Sequence, residues 1–368
     1  MKKQRIFKNS SLVDFHIHSN ASIDGSKNID ELCEMANENN TSIFSVTDHN
    51  TINGINTFLD KNNIDRYSVL SSINNTTILS GVEITAKIKE IENIKGNPVK
   101  VHLLAYGIDR NDNSPISQIL KLKRKNDENV DLGFLYQINQ QLNLNIPTND
   151  IINFYRTKKQ KNERYEWIGK NDAIEFLLSH NFFKDKTKEE INELFYEMEP
   201  THRLDLEAKD VINLVHASGG IVTLAHPYSN LKRTKYQKEV INYLISYEID
   251  GFEMYYPFNN YHCDLFLRSI CKDHNIKIFS GGSDYHTDTQ EFNDELHIPF
   301  EPVTINKTRA FIDYMTEIEH ARKKGTLILN NYKNLNSFKI QNTIEKYKKK
   351  FCSIENISPS SLDILEME

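Results

Sequence analysis

The stretch VDFHIHSNASIDGS, residues 13–26, places His16, His18 and Asp24 close together. Alternate residues of a strand face the same side, so His16 and His18 present two imidazoles to one space, with a carboxylate following at once. Imidazole with carboxylate is a donor set suited to Zn, Mn or Fe. The arrangement recurs at the ends of other strand-like runs. SIFSVTDHN finishes with Asp48 and His49, LSGVEIT carries Glu83, VKVHLLAYG carries His102, TLAHP carries His226, and FSGGSDYH delivers Asp284 and His286. Six of the thirteen histidines sit in such places, too many for chance buried pairs to explain together.

Singly, each motif also has a plain structural reading. Paired histidines on a strand can be buried and hydrogen-bonded, and His102 or His226 alone would pass as a satisfied core imidazole. Asp48 reads as a cap or as a group that orients a ligand rather than as a ligand. Glu83 resists this treatment, because a carboxylate inside an apolar strand is costly without a partner or a cation. In GGSDYH the glycines free the backbone around an Asp-x-His pair. Taken together, His16, His18, Asp24, His49, Glu83, His102, His226, Asp284 and His286 make nine donors, more than one ion needs once water is counted. Two to three divalent ions (Mn, Fe or Zn) sharing bridging carboxylates fit better. Such a cluster lowers the pKa of a bridging water and supplies a hydroxide nucleophile near neutrality.

The elements that must position these groups are short apolar runs. LVDFHI, SIFSVT, TILSGVEIT, KVHLLAYG, GIVTLAHP, GFEMYY and KIFSGGS read as seven buried strands. Helical spacing lies between many of them, as at Ile29, Leu32, Cys33 and Ala36, or at Val211, Leu214 and Val215 before the stop at Gly219-Gly220. This alternation predicts an α/β fold of parallel βα units, and the C-terminal strand ends of a closed (β/α) barrel would converge on one face. The sequence divides into a first barrel part at 1–110, a charged helical insertion at 111–205, a second barrel part at 206–305 and a lysine-rich helical C-terminal extension at 306–368.

Composition narrows the setting. The 368 residues are 38% hydrophobic, contain no apolar run long enough to span a membrane, and begin with basic residues that no apolar signal core follows. Four cysteines without C-x-x-C spacing point to reduced thiols and a cytoplasmic location. A net charge of −6 gives no global attraction to nucleic acid, although a local basic surface could still hold phosphate.

DFHIHSNASIDGS, FSVTDHNT, GVEIT, HLLAYG, GGIVTLAHP and GGSDYH resemble, in order, the motif set of the PHP (polymerase and histidinol phosphatase) family. The resemblance covers roughly residues 10–110 and 206–290, with an insertion placed as in the nucleoside 3′,5′-bisphosphate phosphatase and short-oligonucleotide exonuclease branch. It implies a distorted (β/α)7 barrel. It also implies that His16, His18, Glu83 and Asp284 hold a first ion, that Glu83 bridges to a second completed by His102 and His226, and that Asp24, His49 and His286 hold a third. Glu83, Asp284 and His286 would then be catalytic residues, and every ligand position is filled.

The substrate side departs from that branch. Where its members carry an Arg and a His near IGKND, this chain has Lys170 and Asp172. Where they carry a Gly-Arg pair after Ala-His-Pro, it has Tyr228-Ser229, with basic residues at Lys232 and Arg233. Lys170, Lys232 and Arg233 are candidate phosphate contacts, although lysine lacks the bidentate fork of arginine. The expectation is hydrolysis of a phosphomonoester of a nucleotide-like or other small substrate. One alternative is a 5′–3′ exonuclease on short single-stranded RNA or DNA, with the insertion or the basic KIQNTIEKYKKKF holding the backbone. Another is a metal-stabilised regulatory protein whose C-terminal extension meets a second copy or a protein partner.

Overall fold

The computed structural model describes residues 8, 10–22, 24–73, 75–147, 149–151, 153–154, 170–187, 190–191, 203–231, 237–287, 303–325 and 336–355. Eight strands form one mixed sheet: β1 (Leu12–Ile17), β2 (Thr41–Val46), β3 (Leu70–Ile73), β4 (Thr76–Glu92), β5 (Pro98–Tyr106), β6 (Ile221–Leu224), β7 (Gly251–Tyr255) and β8 (Ile278–Gly281). The order is β1-β2-β4-β5-β6-β7-β8, with β3 added to β4. All seven runs expected from the sequence are strands. The eighth, β3, was not expected; its sequence LSSI carries too little apolar signal to stand out.

The expectation of parallel βα units throughout needs correction. β1–β2, β2–β4, β6–β7 and β7–β8 are parallel, whereas β3–β4, β4–β5 and β5–β6 are antiparallel. The chain between β4 and β5 spans only residues 93–97, where Asn93 and Asn97 are hydrogen-bonded and Gly96 takes φ +79°. A parallel neighbour would need a crossover of a dozen or more residues. Beyond β8 the chain returns to β1: Asp284 N donates to His16 O at 2.9 Å and His18 N donates to Tyr285 O at 2.9 Å.

Helices cover the strands as their spacing dictates. α1 (Ile29–Glu38) buries Ile29, Leu32, Cys33 and Ala36, and its entry is fixed by a reciprocal cap in which Glu31 N donates to Asn28 and Asn28 N donates to Glu31. α2 (Asn53–Lys61) follows β2, and α3 (Pro115–Gln141) and α4 (Lys170–Ser179) lie in the region read as an insertion. α5 (Ala208–Ala217) buries Val211, Leu214 and Val215 and stops where Gly219 turns to φ +71°. α6 (Pro227–Leu231), α7 (Gln237–Ser246) and α8 (Tyr261–Asp273) follow β6 and β7. α9 (Arg309–Lys323) and α10 (Ser337–Glu355) come last.

Two compact units result, Met1–Leu120 with Asp205–Thr343, and Lys121–Leu204 with Ile344–Glu368. In the first, Val13, Phe15, Ile43, Leu79, Leu104 and Tyr106 from the sheet pack with Phe311, Ile312, Met315 and Ile318 of α9. The helix read as the start of an extension is thus built into the core of the sheet unit. In the second, Phe134, Leu135 and Ile138 pack with Ile174, Phe176 and Leu177. Among the described residues no helix is long and apolar enough to cross a membrane.

Candidate metal centre

The nine donors expected from the sequence gather at one end of the sheet of the first unit. Glu83 is central and fully buried in β4. Its Oε2 faces His49 Nδ1 at 2.9 Å, His18 Nε2 at 3.3 Å and His16 Nε2 at 3.5 Å, while its Oε1 faces His102 Nδ1 at 2.9 Å and His226 Nε2 at 3.0 Å. Five imidazoles therefore surround one carboxylate. The antiparallel hairpin makes this possible, because β5 runs back past Glu83 and sets His102 opposite Thr85. Asn50 locks the β2 loop to the same place, donating from its backbone N to Glu83 O at 2.7 Å and accepting from Thr85 N at 2.9 Å.

Hydrogen bonds on the far side of each ring decide which nitrogen lone pairs face inward. His16 Nδ1 lies 3.0 Å from Glu253 Oε1, an acceptor only, so Nδ1 carries the proton and Nε2 a lone pair. Ser22 Oγ donates to Asp24 Oδ1 at 2.8 Å and accepts from His49 N, so His18 Nδ1, 3.2 Å away, donates to it and its Nε2 too is a lone pair. The two Nε2 atoms stand 3.2 Å apart, and Asp284 Oδ1 lies 3.1 and 3.3 Å from them. Four acceptors meet there with no donor between them, an arrangement that repels itself unless a cation enters. His286 repeats the pattern: its Nδ1 donates to Asp284 O at 2.7 Å, leaving Nε2 to face Asp24 Oδ2 at 3.4 Å. His49 Nε2 approaches the same Asp24 oxygen at 3.4 Å.

Glu83 Oε2 and His49 Nδ1 are buried and, despite their 2.9 Å separation, neither is in an aligned hydrogen bond. The donors converge in three sets: His16, His18, Glu83 and Asp284; His18, Asp24, His49 and His286; and His49, Glu83 and His102. This donor chemistry fits divalent metal ions. His226 touches Glu83 but belongs to none of the three sets; Asn230 Nδ2 stands 3.4 Å from its other ring nitrogen.

The electrostatics agree. Burial favours neutral His16, but the carboxylates of Asp284, Glu253 and Glu83 hold it well above the ordinary imidazole range. Burial acts likewise on His49, and Glu83 and Asp24 overcome it, raising His49 to about 10. His102 is pushed down to about 4, mainly by burial, which Glu83 opposes and His49 and His226 reinforce. Glu83, despite burial, is held well below the carboxylate range by His49, His102 and His16. The site thus carries a negative potential that favours positive charge, from protons or from metal ions.

Several supporting residues were not singled out in the sequence. Glu253, fully buried in β7, takes His16 Nδ1–H and also accepts from His226 N at 2.6 Å. The argument applied to Glu83, a carboxylate inside an apolar run, would have found it in GFEMYY. Tyr256 donates to Asp284 Oδ2 at 3.4 Å, turning Oδ1 toward the imidazoles. Asp48 is buried and accepts from Ser19 N at 2.6 Å and Ser19 Oγ at 2.8 Å, pinning the turn after His18 and standing outside the three donor sets. Two donor positions take left-handed backbone, His226 at φ +25° and Asp284 at φ +56°, strain that the surrounding hydrogen bonds must hold. Of the expected phosphate contacts, Lys170 opens α4 with its side chain outside the described residues, and Lys232 and Arg233 lie outside them entirely.

Known proteins give the same picture at the level of family and fold. Residues 14–254 match the PHP domain family. No curated protein matches the chain. Among solved structures, one from Bifidobacterium adolescentis, described as a candidate metal-dependent phosphoesterase, is similar with TM-score 0.56 and 19% identity over 82% of this chain and 96% of that one. An amidohydrolase from Chromobacterium violaceum, with bound sulfate and no metal, gives TM-score 0.52 and 17% identity over the same shares. At these identities the likeness is one of fold.

Proposed function

This chain belongs to the PHP domain family, and we propose that it is a metal-dependent phosphoesterase acting on small phosphomonoesters. The observation that carries the reading is the meeting of His16 Nε2, His18 Nε2, Glu83 Oε2 and Asp284 Oδ1 as acceptors within 3.1–3.5 Å of one another. Divalent ions held there would supply Lewis acidity, acidify water toward neutral pH and neutralise phosphoryl oxygens. The protein's own part is orientation. Glu83 holds the middle of the site, Glu253 fixes the His16 tautomer, Ser22 that of His18, and Tyr256 the rotation of Asp284. The description of the Bifidobacterium protein points the same way.

Two to three ions of Mn, Fe or Zn are proposed on the three overlapping donor sets, with His226 as a further ligand to the ion beside Glu83 and His102. Closure of the sheet into a barrel is proposed on the bonds between the segment after β8 and β1. A nucleotide-like substrate is proposed on the basic residue types at Lys170, Lys232 and Arg233, which would hold a second phosphate. A reducing compartment such as the cytoplasm is proposed on the four free cysteines.

The test is a screen of protein loaded with Mn, Fe or Zn against nucleoside 3′,5′-bisphosphates, histidinol phosphate, simple nucleotides and short 5′-phosphorylated oligonucleotides. Phosphate release that chelation abolishes and metal restores supports the reading; none on any substrate under any metal overturns it. A loss in Lys170→Ala confined to bisphosphates supports the second-phosphate role, and equal or no loss on all substrates removes it.

A further inference from the structure

A second feature lies in the helical unit and is independent of the metal centre. Residues 121–125 of α3 read KLKRK and residues 346–350 of α10 read KYKKK, four cations in each five, in a chain of net charge −6. The two segments are neighbours: Lys125 Nζ lies 5.2 Å from the centre of the Phe351 ring. Nearby acids take up two of the eight cations. Lys123 is buried against Asp127, and Lys348 pairs with Glu345 at 3.1 Å. Lys121, Lys125, Lys346 and Lys349 are exposed.

Like charges three or four positions apart on a helix destabilise it, and both segments accept such pairs, at 121/125 and at 346/349 and 346/350. A bound polyanion reverses that cost. The apolar members of α10 at this place, Tyr347 and Phe351, are 1% and 5% exposed, so the face offers ammonium groups without the apolar side chains that would enter a lipid surface. It also offers no exposed ring for stacking bases, so contact would be with phosphates and independent of sequence.

We propose that this α3/α10 face binds the phosphodiester backbone of a nucleic acid. Four exposed lysines each neutralising one phosphate of a single strand predict a slope of log affinity against log salt of about −3, so that raising salt from about 50 to about 200 mM weakens binding about 50-fold.

The experiment is fluorescence anisotropy of a labelled single-stranded oligodeoxynucleotide with the full-length protein across that salt range. Lys121→Gln/Lys346→Gln/Lys349→Gln, which spares Lys125 over Phe351, should melt as wild type does and lower the slope by about 2. Glu83→Gln should bind the oligonucleotide as wild type does. Absence of binding at the lower salt overturns the proposal, as does an unchanged slope in the triple variant. Loss of binding in Glu83→Gln places the contact at the metal centre instead, and equal binding to phosphatidylserine vesicles places it at a membrane; either result overturns it. If the triple variant fails to fold, the wild-type slope decides, a value near zero refuting the phosphate contacts.

Discussion

Replacing Glu253 by Gln tests the reasoning behind the metal centre without touching any of the nine donors. Glu253 receives two donors at once, His16 Nδ1–H at 3.0 Å and His226 N–H at 2.6 Å. A glutamine has one oxygen and one NH2 in the same places, so one of those donors must face another donor. If the amide nitrogen faces His226 N, the strand end carrying His226 is pushed off. If it faces His16, the ring is driven to the other tautomer and its Nε2 proton points at Glu83 and Asp284. Either way a buried charge-assisted hydrogen bond is replaced by a repulsive contact. Losing a group that orients a metal ligand costs on the order of 10–100-fold in metal affinity, roughly 1.4–2.8 kcal/mol. The assay is competition for Mn or Zn between the protein and a chromophoric chelator. Asp250→Asn is the control: Asp250 pairs with His216 at 2.9 Å at the opposite end of β7, so its loss should lower stability and leave metal affinity unchanged. Affinity in Glu253→Gln within about twofold of wild type, or an equal loss in Asp250→Asn, refutes the reasoning.

Protein purified without chelator from metal-replete medium should carry two to three equivalents of Mn, Fe or Zn by elemental analysis; one equivalent or none refutes a multinuclear centre. Glu83→Gln, which keeps shape and removes the central charge, should nearly abolish phosphate release while circular dichroism stays native, and near-normal turnover at saturating metal would show Glu83 to be misassigned. Metal occupancy should fall with pH. His16 and His49 are held above the ordinary imidazole range in the metal-free site, so protons displace metal as pH drops, and equilibrium dialysis at about pH 8 and about pH 5 should show loading at the first and loss at the second. Gly282→Ala should destabilise the protein by roughly 1–3 kcal/mol in urea unfolding, because its Cβ would lie 2.5 Å from His16 N where the chain after β8 meets β1; an unchanged midpoint would show that this junction yields.

The sequence by itself determined the chemistry and most of the strands. Imidazole and carboxylate stand out wherever they interrupt apolar runs, and strand periodicity is local, so His16 and His18 on β1 or Glu83 in β4 were legible without any partner in view. The helices α1 and α5 were legible for the same reason, since spacing and caps act within a few residues. Strand direction was not. Whether β5 runs with or against β4 depends on a five-residue connection and on long-range pairing, and that reversal is what brings His102 beside Glu83. Nor could spacing show that α9 belongs to the sheet unit, because an amphipathic helix reads alike whether it covers its own sheet or a partner. Glu253 and Asn50 act through residues distant in sequence, and only the fold sets them against His16 and Glu83. The same holds for the lone pairs: a histidine's tautomer is fixed by what lies behind the ring, which is a property of tertiary packing and not of the motif.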